Sequence, residues 1–393
     1  MNSSMDDVKN KQKVAIVVVG YNRLDAIARL LSSLLKASYP GNDVPLVISI
    51  DRSNNLELYL YVQEFVWPFG QKYLLIQEKR LGLKDHIFSC GDMTRFFKAV
   101  VLLEDDLYVS PEFYRYVCAA VDAYRDDDRI AGISLYSSEF NGFVGYPFSP
   151  LKNGADVYAE QTVVSWGECW TERMWYDFRN WLKEDEIDFD AVDMPEPIKT
   201  WEKAWSKFFY AYVILNDKYF IIPHTSLTTN FSDAGEHGET NNTNVQVGLM
   251  YGPREYDLRG FEELVKYDVF GNNMELFDCL GLKKQELCVD LYGNNFNRSQ
   301  KRFWLSIQDL PYLSVKGFAL RLRPMELNVM HQIEGQDLIL YDTNLPHPLS
   351  GRKKYDMVRY HLRGFNRNAL TRFLLMEWTD RILKKFKLRK SES

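Results

Sequence analysis

Three adjacent carboxylates, Glu104-Asp105-Asp106, follow the apolar run Ala99-Val100-Val101-Leu102-Leu103. The apolar residues predict a buried strand, and the carboxylates mark its end. Side chains alternate along a strand, so Glu104 and Asp106 share a face if the strand continues, while Asp105 points the other way. Carboxylates packed this closely repel one another in a dry site, and a hard cation or a hydroxyl-rich ligand against them relieves that repulsion. A strand that simply meets solvent also ends in an acidic turn. The functional reading therefore depends on other elements converging on the same cleft.

Several segments offer such company. Residues 14–19, VAIVVV, are β-branched and unalternated, as in a buried parallel strand, and break at Gly20-Tyr21-Asn22-Arg23. A second strand, Val44 to Ile50, ends at Asp51, whose carboxylate can accept from a base N–H or a ribose hydroxyl. Arg23, Arg80 and Lys84 have the chemistry to face phosphate. Neither GxGxxG nor GxxxxGK[ST] is present, so any nucleotide is held by side chains rather than by a glycine-rich backbone cradle. In Ser165-Trp166-Gly167-Glu168-Cys169-Trp170, the glycine beside Trp166 lets backbone approach a flat ligand such as a sugar ring. His237, in the glycine-containing stretch after Asn230, can supply nitrogen to a cation held by Asp106.

The elements that must position these groups read as alternating strands and helices. Leu24 to Ala37 and Leu56 to Phe65 have helical spacing, Tyr73 to Gln77 is a short strand, and Asp85 to Phe97 is helical before the acidic strand. Ser110-Pro111-Glu112 predicts a helix start, with serine as cap and proline first, running to Tyr124. Parallel α/β sheets bind ligands where their strands end in polar loops. Trp170, Trp175 and Trp205 divide evenly between core and site; His224 reads as a strand-end residue after Ile221-Ile222. Beyond residue 245 the patterns weaken: Leu282 to Leu291 reads as helix or strand, and Phe318 to Pro324 alternates like a strand.

With 393 residues, 46% of them hydrophobic, the chain can bury one large core or two modest ones. Its net charge of -6 is uneven: residues 351–393 carry 13 Lys and Arg against 4 Asp and Glu, which leaves the rest near -15. That balance argues against nucleic acid as a partner, while the tail can seek an anionic surface. Asn368 to Lys390 has apolar and basic spacing that suits equally a helix lying in a membrane interface and one docked on its own domain with a solvated basic face. Five cysteines without a CxxC pair read as reduced thiols, and the polar N-terminus with a short apolar run reads as neither signal peptide nor span. The expected location is cytoplasmic, peripheral on the inner face of the plasma membrane.

VAIVVVGYNR, VLLEDDLYVSPEFYRY and SWGECW together resemble nucleotide-sugar glycosyltransferases of the GT-A fold across residues 13–240. Within that class the chain is similar to inverting bacterial enzymes of capsular or O-antigen polysaccharide synthesis, and more distantly to the enzyme adding N-acetylglucosamine to the α-mannose arm of N-glycans. The resemblance implies an α/β fold with a mixed, mostly parallel sheet flanked by helices and a helical C-terminal extension. It implies a GT-A domain over 13–245, with a nucleotide-sugar half (13–125) and an acceptor half (126–245), then an accessory region (246–350) and a basic amphipathic tail (351–393). It further implies a UDP-sugar donor, GlcNAc or another hexose, a saccharide or lipid-linked saccharide acceptor, and Mn2+ or Mg2+ on the diphosphate.

By the same resemblance Asp106 binds the metal, His237 is a further metal ligand or a phosphate contact, Glu104 and Asp105 contact donor sugar and ribose, and Asp51 reaches the base wrapped by Gly20, Tyr21, Asn22 and Arg23. Ser165, Trp166 and Gly167 carry over, whereas Glu168 stands where relatives have an aromatic residue. Inversion needs a base to deprotonate the acceptor hydroxyl. Glu202, in Trp201-Glu202, holds the position often filled by aspartate in relatives, and Glu168 competes for the role. A nucleotide-sugar nucleotidyltransferase is the alternative enzyme, disfavoured because GYNRLDAI lacks a glycine-rich phosphate loop. A carbohydrate-binding protein without turnover is the alternative outside enzymes.

Overall fold

A computed structural model describes residues 10–184, 187–202, 204–233, 245–295, 301–351, 355–362 and 366–391. The first half alternates as expected: β1 (Asn10–Gly20), α1 (Leu24–Leu35), β2 (Leu46–Ile50), α2 (Leu56–Glu64), β3 (Lys72–Ile76), α3 (Leu83–Gly91), β4 (Phe97–Glu104), β5 (Leu107–Val109) and α4 (Phe113–Tyr124). Then come β6 (Ile130–Ser134), β7 (Val157–Glu160), β8 (Glu168–Thr171), α5 (Glu172–Glu184), α6 (Glu196–Lys199), α7 (Trp205–Leu215), β9 (Tyr219–Pro223), β10 (Thr228–Asn230) and β11 (Lys266–Tyr267).

Nine strands form one sheet in the order β11-β7-β9-β6-β8-β4-β1-β2-β3. β1 to β4 run parallel, β8 runs against both β4 and β6, β9 runs with β6, and β7 and β11 run against them. The sheet is thus mixed and mostly parallel. β1 from Val14 to Val19, and β2, are buried throughout, which is why both read as unbroken apolar runs. Helix α1 turns Ile27, Leu30, Leu31 and Leu34 onto this core.

Some local expectations shift. α4 starts at Phe113 rather than Pro111, because Ser110 accepts from the Glu112 N–H and itself donates to the Met250 carbonyl. The helix before β4 stops at Gly91 and continues only as a 3-10 turn to Arg95. Trp170, Trp175 and Trp205 are core: Trp170 stands 4.9 Å from Trp175 and 5.9 Å from Trp205 between ring centroids.

Past β11 lie α8 (Leu276–Leu280), β12 (Leu287–Asp290), β13 (Phe303–Ser306), β14 (Tyr312–Phe318), α9 (Glu326–Met330) and β15 (Leu338–Pro346). These strands make a second sheet, β12-β13-β15-β14, which the sequence patterns did not predict. Residues 319–323 leave the strand that ends at Phe318, since the Ala319 N–H turns to the Ile333 carbonyl and those of Arg321 and Leu322 to the Asn328 side chain. The chain then forms α10 (Tyr355–His361) and α11 (Arg367–Ser391). Phe373, Leu374, Leu375 and Met376 fill four successive positions of α11, all more than half exposed, so apolar surface rings the helix there rather than following one face. Among the described residues no helix is long and apolar enough to cross a membrane.

Candidate functional site

The C-terminal ends of β1, β2 and β4 lie side by side, with Gly20 opposite Ile50 and Val19 opposite Glu104. They open into a pocket of about 370 Å3, whose walls include Tyr21, Asp51, Arg80, Glu104 and Asp106. Gly20, Asn22, Arg23, Asp105 and Trp166 reach the same pocket. Most of the residues singled out in the sequence thus converge at the strand ends.

Arg23 counters part of the acidic triplet's charge from within the chain. Arg23 Nε donates to Asp105 Oδ2 at 3.3 Å, its Nη2 pairs with Asp105 Oδ1, and the same Nη2 reaches Asp106 Oδ2 at 3.2 Å. Burial works against the Arg23 charge, but the two aspartates outweigh it and hold the guanidinium protonated beyond its ordinary range. Burial pushes Asp105 up to about 6 against the pull of Arg23. Glu104 is raised well above the usual carboxylate range by burial and by the charges of Asp106 and Asp105.

Asp51 is buried and already engaged. Its Oδ1 accepts from the Arg52 and Leu81 N–H groups at 2.8 and 2.9 Å, and its Oδ2 from Gly82 N–H at 2.9 Å. Gly82 has φ +79, a conformation that favours glycine, so the aspartate draws a tight turn against the end of β2. A carboxylate has about four acceptor positions, which leaves one for a ligand N–H or hydroxyl. Beyond this turn Arg80 lies over the Tyr21 ring, 4.7 Å from its centroid. Lys84 does not line the pocket; the first turn of α3 carries it to Phe208, 5.1 Å from that ring.

β10 pins a further loop to the acidic strand end. It pairs antiparallel with β5, Asn230 opposite Leu107, and the Phe231 N–H bonds the Asp106 carbonyl at 2.9 Å. Asn230, Ser232 and Asp233 thereby join the pocket wall, and Arg29 pairs with the Asp233 carboxylate. Buried His86 also lines it, with Nε2 2.7 Å from Ser49 Oγ, and burial lowers it to about 4 despite Asp51. Asn230, Ser232 and Asp233 belong to a polar stretch whose composition suits a loop closing over a ligand, whereas nothing in the sequence marks His86. The signal of those three, polar residues just beyond apolar strands, is shared by many solvated loops.

Ser165, Trp166 and Gly167 do not act as one unit. Gly167 has φ +104, and a Cβ there would stand 3.0 Å from Thr228 Cγ2. The buried glycine serves the turn rather than a ligand approach: Thr228 Oγ1 donates to the Trp166 carbonyl at 2.5 Å and Leu135 N–H to Gly167 at 2.9 Å. Trp166 is thereby presented as a wall shared with a second pocket of about 450 Å3, which Ser165 and Trp201 also line.

The two carboxylates weighed as base differ sharply. Glu168 opposes Leu102 of β4 and Ser134 of β6, so it shares the sheet face of Glu104. Both its oxygens are buried without a hydrogen-bond partner among the described residues, and burial followed by the Glu104 charge raises it well above the carboxylate range. Glu202 is exposed, in a bend before α7, and lines neither pocket.

Among the described residues no group of three His, Cys, Asp or Glu side chains is arranged to hold a metal, and His237 lies outside the described residues. Asp106 Oδ1 is nevertheless buried without a hydrogen-bond partner. One hard oxygen at a pocket wall fits a divalent ion that takes its other ligands from phosphate and water. His224, just past β9, has both ring nitrogens buried and unpartnered among the described residues, and burial lowers it to about 4.

No family model and no curated protein matches the chain. Among solved structures it is similar to S. aureus TarS 1-349 in complex with UDP-GlcNAc, at 20% identity over 57% of this chain and 60% of that one, TM-score 0.37. It is similar to the mannosyltransferase PcManGT from Pyrobaculum calidifontis in complex with GDP-Man and Mn2+, at 13% identity over 56% and 60%, TM-score 0.33. GalNAc-T7 with UDP, GalNAc and Mn2+ is similar at 14% identity over 54% and 42%, TM-score 0.37. The chain spans less than two thirds of the length of each, and likeness of this extent leaves function to the site's own geometry.

Proposed function

We propose that this chain is a glycosyltransferase that moves a sugar from a nucleoside-diphosphate donor, UDP-linked, to a saccharide hydroxyl with inversion. The observation that carries the reading is the convergence of Gly20, Asp51 and the Glu104-Asp105-Asp106 triplet, from the ends of three adjacent parallel strands, on one pocket that also holds Arg23 and Arg80. Carboxylates suit ribose and sugar hydroxyls, the guanidinium groups suit phosphate, and Asp51 keeps one acceptor position for a base N–H.

The donor lies with its base toward Asp51 and Tyr21 and its diphosphate toward Arg23 and Asp106. A divalent ion, Mn2+ or Mg2+, would be held by Asp106 and would supply charge neutralisation for the departing diphosphate. Trp166, between the two pockets, marks where donor sugar and acceptor meet. Glu202 is the base we assign: it is exposed and directly follows Trp201, which lines the second pocket, whereas both Glu168 oxygens are buried without a partner among the described residues. Residues 13–125 then serve mainly the donor and residues 126–245 the acceptor. The exposed apolar ring of α11, with its basic surroundings, is proposed to rest on an anionic membrane at the cytoplasmic face.

Calorimetric titration with UDP-, GDP-, CMP- and dTDP-sugars, with and without Mn2+, tests the donor assignment. Binding of a UDP-sugar that needs the metal supports it, and binding of none across the panel rejects it. For the base, Glu202→Gln should abolish transfer while preserving donor binding; survival of transfer there, with its loss in Glu168→Gln, would move the role to Glu168.

A further inference from the structure

The second pocket differs in chemistry from the first. Tyr158 and Glu160, two residues apart on β7, face it together with Ile222, the β9 partner of Tyr158. Trp166 enters from one side, packed edge-on to Tyr136 at 4.7 Å between centroids. Trp201 lines it beside Tyr210, 6.1 Å away, and the Tyr210 hydroxyl lies 3.0 Å from Thr162 Oγ1. No Lys, Arg or His lines it among the described residues, whereas Arg23 and Arg80 line the acidic pocket. Burial followed by the Asp268 charge pushes the Glu160 carboxyl up to about 8. At neutral pH it is mostly a neutral acid, able to donate one hydrogen bond and accept others.

Each part narrows the ligand. Pockets for small molecules run from about 300 to 1,000 Å3, so 450 Å3 suits one ring with its substituents. Aromatic walls favour the apolar C–H face of a sugar ring, while Ser138, Glu160, Thr162 and Ser206 offer hydrogen bonds that an acyl chain would leave unpaired. An anionic ligand would lose its hydration here without gaining a cation.

We propose that this pocket binds the uncharged pyranose ring of the acceptor, ring face against Trp166 and Trp201 and hydroxyls on Glu160 and Ser206, and that it rejects uronic and phosphorylated sugars. The proposal rests on the transferase reading in that it makes the second pocket the acceptor side of the same site. Trp166, common to both pockets, then sets the boundary between the ring that is transferred and the ring that receives it.

The test is direct binding to the full chain, followed by saturation-transfer NMR and tryptophan fluorescence. The probes are methyl β-glucopyranoside, methyl β-galactopyranoside, N-acetylglucosamine and glucuronate, each with saturating UDP and Mn2+. At least one neutral pyranose is expected to bind with UDP present and glucuronate is not, and Trp201→Ala should weaken the neutral sugar roughly tenfold, as loss of one well-packed ring does. Trp201→Phe, which keeps a ring, should lose less, and thermal unfolding verifies that both variants fold. Absence of neutral-sugar binding, equal binding of glucuronate, or indifference to Trp201→Ala would each overturn the assignment. So would displacement of the neutral sugar by a UDP-sugar but not by UDP, which would give the pocket to the donor sugar. Failure of UDP itself to bind would sink the donor reading separately, since pyranose binding is read on its own.

Discussion

Arg23 clasps Asp105 through two of its nitrogens and reaches Asp106 with one of them, so part of the motif's negative charge is countered from within the chain. The guanidinium comes from the turn after β1 and the carboxylates from the end of β4, neighbours in the sheet. Any divalent ion at Asp106 shares its carboxylate with this arginine or displaces it.

Replacement of Arg23 by glutamine should therefore leave Glu104, Asp105 and Asp106 facing one another uncompensated. Removing one partner of a buried pair costs on the order of 3 kcal/mol, and the partial exposure of Arg23 keeps the loss toward that lower end. Urea unfolding with and without Mn2+ measures it. The metal should restore more stability to the variant than it adds to the wild type, and equal gains would contradict competition for Asp106.

Asp51→Asn keeps the shape but turns one acceptor into a donor that faces a backbone N–H. At least one of the bonds to Arg52, Leu81 and Gly82 is lost. The expected cost is about 1–3 kcal/mol, the range for an unsatisfied buried group. Calorimetry with UDP should show weaker binding together with the lower unfolding midpoint, because the same turn carries Arg80 to the pocket.

At Gly91, a Cβ would stand 2.2 Å from Trp175 Cζ2, and the ring cannot swing away freely because its Nε1 donates to Asp92 Oδ1 at 2.7 Å. Overpacking of this kind costs about 1–3 kcal/mol. Thermal unfolding of Gly91→Ala should show that loss, with UDP binding retained in the folded fraction, since neither residue lines the acidic pocket.

Glu160 makes a pH prediction. Its ordinary value is 4.5 and burial raises it to about 8 in the folded chain. Between those values the folded state holds a proton that the unfolded state has released, so this group's contribution to stability falls as pH rises. Glu160→Gln, which never ionises, should gain on the wild type progressively from pH 4.5 to 8 and hold a constant advantage above that. A stability difference that is flat across the window would show that the carboxyl is not desolvated.

Much of the architecture around the acidic pocket was legible because β1, β2 and β4 are buried parallel strands, which write themselves as apolar runs, and because parallel strands end together. The insertion of β8 between β4 and β6 was not legible: Glu-Cys-Trp-Thr is four residues long with a buried acid, and its place depends on partners outside its own segment. For the same reason Glu168 read as a candidate base rather than a carboxyl enclosed by two strands. The hold of Asp51 on Leu81 and Gly82 joins residues about thirty positions apart, beyond any local pattern. Aromatic residues of the second pocket read equally well as core, since pocket walls and cores use the same side chains.

The outermost strand of the large sheet, β11, comes from residues 266–267, more than a hundred positions after β7, the strand it covers. On a growing chain β7 is therefore made long before its outer neighbour and waits with an open edge. Open edges recruit other chains, so this interval is when the nascent protein is most exposed to aggregation. Shortened versions ending before residue 266 would keep every strand that bears the acidic pocket yet carry that sticky border permanently. Expression of residues before 266 by themselves should be limited by solubility.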